Sequence, residues 1–145
     1  MREKKFTVAI GKNAHEMCFT LEALAAAVNK YGDLEKMSQA LFAGKENATV
    51  QDNVKLLTET AWMAAEMINA AQKADEYETG KKRKPITAEY ICSKITFSEA
   101  QIMRETVMEA VVYGLGANNV GDEDTDFELQ ELAKKNEAAE NEPTR

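Results

Sequence analysis

The chain has 145 residues, 44% of them hydrophobic, with 18 Lys and Arg against 25 Asp and Glu for a formal charge of −7. That is enough for one domain and hardly for two. One histidine and two widely separated cysteines, Cys18 and Cys92, leave almost no room for a Cys/His zinc site. No apolar run approaches a membrane span, and the start MREKKFTVAI lacks the apolar segment of a signal peptide, so the cytoplasm is the expected compartment.

The negative charge is unevenly placed. Residues 1–121 hold 15 basic against 16 acidic side chains, whereas residues 122–145 hold 3 against 9. A near-neutral body with an acidic tail does not suit a nucleic-acid-binding surface.

In chain order, FTVAI ending at Ile10 and HEMCFT from His15 to Thr20 are half-apolar runs around Gly11-Lys12-Asn13, which predicts a β-hairpin. Thr20 then caps LEALAAAVNKYG, where Leu21, Leu24, Val28 and Tyr31 recur at helical spacing and Gly32 supplies the stop. Asp33 caps LEKMSQALFAG, with Leu34, Met37, Leu41 and Phe42 expected inward and Gly44 at its end. Lys45 to Ala48 forms a short polar link.

The longest uninterrupted helical stretch runs from Val50 to about Glu78 and contains neither Gly nor Pro. Thr49 and Asp52 make a capping box with Asp in place of the usual Glu, and Gly80 lies where a terminating glycine belongs. Val54, Leu57, Ala61, Ala64, Ile68 and Ala71 share one face; Leu56, Trp62 and Met67 widen it, so this helix is expected to be covered on more than one side. Pro85 closes the loop that follows. A helix over Ile86–Ile95 carries Ile86, Tyr90, Ile91 and Ile95 on its apolar side. Ser98 and Gln101 predict a capping box for a last body helix lined by Ile102, Val107 or Met108, Val111 and Leu115 and ended by Gly114 and Gly116.

ANNVGDEDT at 117–125 reads as a mobile linker, and DFELQELAKKNEAAEN at 126–141 regains a short helical stripe of Phe127, Leu129, Leu132 and Ala133. The expected fold is mainly α: a small N-terminal β-hairpin, a bundle of about five helices over residues 1–116, and an acidic linker with a C-terminal tail or helix over 117–145.

Little in the sequence points to chemistry. Lys81-Lys82-Arg83-Lys84 could meet phosphates or an acidic partner, but a solvated loop neutralised by Asp75, Glu76 and Glu78 is the plainer reading. The last two body helices have the lengths of a helix-turn-helix. The second begins with Glu99, Gln101, Arg104 and Glu105, a poor set for a DNA backbone. Strand alternation places His15 and Cys18 on opposite faces, which disfavours a nucleophilic pair. Glu59 and Glu66 share a helical face without an ExxH partner. Neither GxGxxG nor GxxxxGK[ST] occurs. No catalytic, cofactor-binding or metal-ligating residue and no cofactor is therefore expected.

The order of elements resembles the tail assembly chaperones of long-tailed bacteriophages and their prophage and gene-transfer-agent relatives. The stretches that carry it are Ala23–Gly32 in an ALxxxxxxYG-like ending, Leu56–Trp62 in an LLxxxxW-type helix, and Glu109–Leu115 in an xxEAVxxGL-like turn. The resemblance covers residues 5 to about 116. It implies a non-catalytic protein in the bacterial host cytoplasm that binds a tape-measure or tail-tube protein, with self-association as a further partner mode and neither nucleic acid nor membrane. Phe127, Leu129 and Leu132, with Lys81, Lys82, Arg83 and Lys84, are the candidate partner-binding residues. A small helix-turn-helix regulator is the alternative.

Overall fold

The computed structural model describes residues 5–44 and 46–116. Among them are one two-stranded antiparallel hairpin, β1 (Phe6–Ile10) and β2 (Asn13–Met17), and five helices: α1 (Leu21–Tyr31), α2 (Leu34–Leu41), α3 (Val50–Thr79), α4 (Ala88–Lys94) and α5 (Phe97–Gly114). The expected tail and its residues Phe127, Leu129 and Leu132 lie outside the described residues.

The hairpin pairs Phe6 with Met17 through to Ile10 with Asn13. The loop is thus only Gly11-Lys12, with Gly11 at φ 64°, the positive angle a two-residue hairpin turn requires at that place. Asn13 belongs to the strand instead of the turn, and the strand ends at Met17 instead of Thr20. Cys18 leaves the ladder because its N–H donates to the Met67 carbonyl of α3 at 3.1 Å. Phe6, Val8, Ile10 and Met17 face the core.

Helix α3 is the axis on which everything else packs. Its capping box forms as read: the Asp52 N–H donates to Thr49 Oγ1 and the Thr49 N–H to Asp52 Oδ2, each at 3.0 Å. Gly80 closes it in the left-handed region at φ 78°. Thr60, Ala61, Met63, Ala64, Ala65, Met67, Ile68 and Ala70 are buried, more than one face can hold. Its first turns overhang the bundle, so Val54 is exposed, and Ala71 is only partly covered. Thr60 satisfies its buried hydroxyl by donating to the Leu56 carbonyl at 2.9 Å.

Helix α1 corrects the expectation from leucine spacing. Its buried residues are Ala23 and Ala27, while Leu21 is 81% exposed and Val28 also reaches solvent. Alanines at the buried positions of α1 and α3 permit close approach of two helices, and larger side chains then fit only at the edges or outside. In α2, Met37, Ser38 and Leu41 are buried and Leu34 is exposed. In α4, Thr87 caps, Ile91 is fully buried and Tyr90 turns outward.

Helix α5 begins two residues earlier than Ser98 predicts. Thr96 is the N-cap, and Glu99 returns the bond: Glu99 N–H to Thr96 Oγ1 at 3.2 Å, Thr96 N–H to Glu99 Oε1 at 2.8 Å. Thr followed three residues later by Glu is the better box, and Ser98 becomes a first-turn residue. Val107 and Val111 are buried as expected, with Ala100, Met103 and Ala110 beside them, whereas Ile102 is 65% exposed. Gly114 is the last helical residue and Gly116, at φ 91°, supplies the positive angle of the exit.

Candidate functional site

A groove of about 560 Å³ lies between α2, the α2–α3 connection and the first turns of α3. Ala40, Ala43, Ala48 and Leu56 give it an apolar lining; Gln39, Asp52, Asn53, Lys55, Glu59 and Tyr31 supply polar groups. It exists because α2 is short, eight residues, while α3 begins beyond it with an overhanging capped turn. Arg104 of α5 fixes one wall: its Nε and Nη2 donate to the carbonyls of Leu41 and Phe42 at 3.2 and 2.5 Å. Those carbonyls belong to the otherwise unsatisfied C-terminal turn of α2.

One end of the groove is held by a cluster that bridges α1 and α3. The Tyr31 hydroxyl donates to Glu59 Oε1 at 2.5 Å, and Lys30 Nζ lies 3.7 Å from the same oxygen. Lys30 also sits 4.9 Å from the centre of the Trp62 ring, and the Tyr31 and Trp62 rings meet edge to face at 5.8 Å. Burial, reinforced by the hydrogen bond and charge of Glu59, holds the Tyr31 phenol well above its ordinary range, so it remains a neutral donor. Glu59 is committed to Tyr31 and Lys30. The lining thus mixes small apolar side chains with amides and charges.

The basic loop is placed differently. Arg83 pairs with Asp75 at 2.9 Å, its N–H donates to Glu76 Oε2 at 3.3 Å, and the loop is clasped again where Asn69 exchanges two 2.8 Å hydrogen bonds with the backbone of Ile86. Arg83 is therefore part of an intramolecular ion pair, while Lys81, Lys82 and Lys84 point to solvent. The four do not meet the groove, whose lining includes none of them.

A second, polar cavity of about 120 Å³ lies between the hairpin and the end of α3, lined by His15, Glu16, Gln72, Asp75 and Arg83 with Ala14, Ile68 and Ala71. His15 Nε2 is shielded there without a protein hydrogen-bond partner among the described residues. Cys92 is exposed on α4 and Cys18 half-buried, both as thiols; partial burial pushes the Cys92 thiol up, away from the reactive thiolate. Among the described residues no group of three His, Cys, Asp or Glu side chains could hold a metal ion, and no helix is long and apolar enough to cross a membrane.

The groove residues went unnoticed in the sequence. Tyr31 and Glu59 are 28 positions apart, and the spacing of each, Tyr31 with Val28 and Glu59 with Glu66, says nothing of the other. What these features define is a mainly helical fold with an N-terminal two-stranded hairpin. The chain matches no protein family, no curated protein and no solved structure.

Proposed function

We propose that this protein is a tail assembly chaperone of a bacteriophage or prophage, a non-catalytic binder acting in the bacterial host cytoplasm that keeps the tape-measure protein soluble while the tail tube forms. The observation that supports the reading is the groove between α2 and α3, where Ala40, Ala43, Ala48 and Leu56 lie among polar side chains, together with the order of elements that resembles those chaperones. Such a groove receives one face of an amphipathic helix, and a tape-measure protein is a long source of such helices. The Tyr31–Glu59 bond and the Arg104 clasp keep the groove formed before a client arrives, which lowers the ordering cost of binding.

Co-expression with a tape-measure protein, scored by the amount of that protein in the supernatant, tests the reading. Ala43→Trp fills the groove from a half-buried position and should abolish the rescue while the chaperone itself still folds. Equal rescue by wild type and Ala43→Trp would remove the groove from the function. No rescue by the wild type would remove the function itself. The DNA-regulator alternative receives no support at α5, whose first turns present Phe97, Glu99, Ile102 and Glu105 outward.

A further inference from the structure

The hairpin leaves one strand edge unpaired. Its two-residue loop makes Ile10 and Asn13 a pair that exchanges both backbone hydrogen bonds, and antiparallel alternation repeats this at Val8 with His15 and at Phe6 with Met17. The backbone N–H and C=O of Thr7 and Ala9 therefore point away from β2. Among the described residues no backbone hydrogen bond meets them, and both residues are exposed. The outer edge of β2 differs, because it runs into α3 where the Cys18 N–H is taken by the Met67 carbonyl. Sheets guard a free edge with charge, proline or a bulge, and the unbroken ladder of FTVAI carries none of these.

We propose that the β1 edge pairs with the β1 edge of a second copy of this chain, antiparallel about a two-fold axis through Val8. This register sets Thr7 against Ala9 of the second copy and Ala9 against its Thr7, so the outward N–H and C=O groups bond to one another. The side chains agree with it. On the exposed face Thr7 and Ala9 are small and uncharged. On the other face Phe6, Val8 and Ile10 are already core residues, and their row continues with Val8 opposite Val8 and Phe6 opposite Ile10 of the second copy. Lys5, the charge nearest the strand, lies 4.0 Å from Glu16 of its own hairpin and comes opposite Gly11 of the second copy, which has no side chain to oppose it. A neutral edge recruits no charged strand in particular, whereas a two-fold axis presents it with its own complement. No hairpin residue lines the α2–α3 groove, so the pairing is independent of any client.

Sedimentation velocity of the full chain from micromolar to sub-millimolar concentration, with amide hydrogen exchange on the same samples, tests the proposal. The mass is expected to rise from one chain to two. Over that range the Thr7 and Ala9 amides should gain protection, while those of Val8 and Ile10, bonded within the hairpin, stay protected throughout. Ala9→Pro removes an outward N–H and leaves the bonds to β2 intact, the edge position at which proline is tolerated. It deletes one hydrogen bond per copy; at about threefold to tenfold for each, the dimer weakens roughly tenfold to a hundredfold. Ala9→Lys keeps the N–H and brings two ammonium groups together across the axis. Its dimer should be weaker at low salt and partly restored in about 1 M salt, where the screening length is about 3 Å. Should proline disturb the hairpin, Ala9→Lys decides alone. A single chain at every concentration, a dimer whose Thr7 and Ala9 amides exchange freely, a dimer indifferent to the substitutions, or protection of these amides only on adding a tape-measure protein would each overturn the proposal.

Discussion

Gly114→Ala is the substitution for which ordinary helix reasoning and the structure give opposite signs. Alanine in place of glycine inside a helix gains up to about 1 kcal/mol, and less in a last turn. A Cβ at Gly114, however, would sit 2.7 Å from both Cβ and the carbonyl oxygen of Phe19 and 2.9 Å from its Cδ2, against an ordinary contact of 3.4–4 Å. Two of those three atoms are backbone or rooted on it, so relief requires moving the Met17–Thr20 segment. That segment is held by the Cys18 hydrogen bond to Met67 and by the pairing of Met17 with Phe6, whose ring meets Tyr113 at a tilt, 5.7 Å between centres. Overpacking of this kind costs about 1–3 kcal/mol, and the rigid neighbour puts this case at the upper end. The net loss is about 2 kcal/mol, a fall in Tm of roughly 10 °C for a domain of this size. Thermal unfolding followed by circular dichroism measures it. Gly80→Ala is the companion experiment: nothing lies within 4 Å of its added Cβ, so only the φ of 78° is penalised, by about 1 kcal/mol. An unchanged or raised Tm for Gly114→Ala, or a larger loss for Gly80→Ala, would refute the close-approach account.

Asn69→Leu removes both hydrogen bonds to Ile86 and should cost about 2 kcal/mol, with faster trypsin cleavage at Lys81–Lys84 as the local readout. Arg104→Met keeps the aliphatic stem but leaves the carbonyls of Leu41 and Phe42 unbonded; a loss of about 1–2 kcal/mol is expected, together with weaker client rescue because the groove wall is freed. Tyr31 is neutral in the fold above the pH at which a free tyrosine ionises. Its contribution is therefore intact below about pH 10 and is lost as pH rises beyond that, since the unfolded chain then gives up its proton first. Denaturant titrations between pH 9 and 11 should show a shallower alkaline decline for Tyr31→Phe than for wild type, and phenolate absorbance should show one of the four tyrosines titrating late until Glu59→Gln brings it down.

Much of the architecture is legible in the text because it depends on near neighbours. Thr49 with Asp52, Thr20, Asp33, Thr87, Gly32 and Gly80 terminate helices through bonds spanning three or four residues, and each can be read off spacing. The long α3 and the hairpin follow from periodicity in the same way. Where two local solutions compete the reading slips: Ser98 with Gln101 and Thr96 with Glu99 are both plausible boxes, and the structure uses the second.

What tertiary structure alone decided is which apolar face is spent. By itself, α1 offers Leu21, Leu24 and Val28 as its hydrophobic side. Packing on α3 buries Ala23 and Ala27 fully, keeps Leu24 partly covered against the core, and leaves Leu21 and Val28 in solvent. The Tyr31–Glu59–Lys30–Trp62 cluster, the Arg104 clasp and the groove they frame likewise join residues 28 to 63 positions apart. No spacing rule reaches that far, for such partners become neighbours only after the helices have settled on one another.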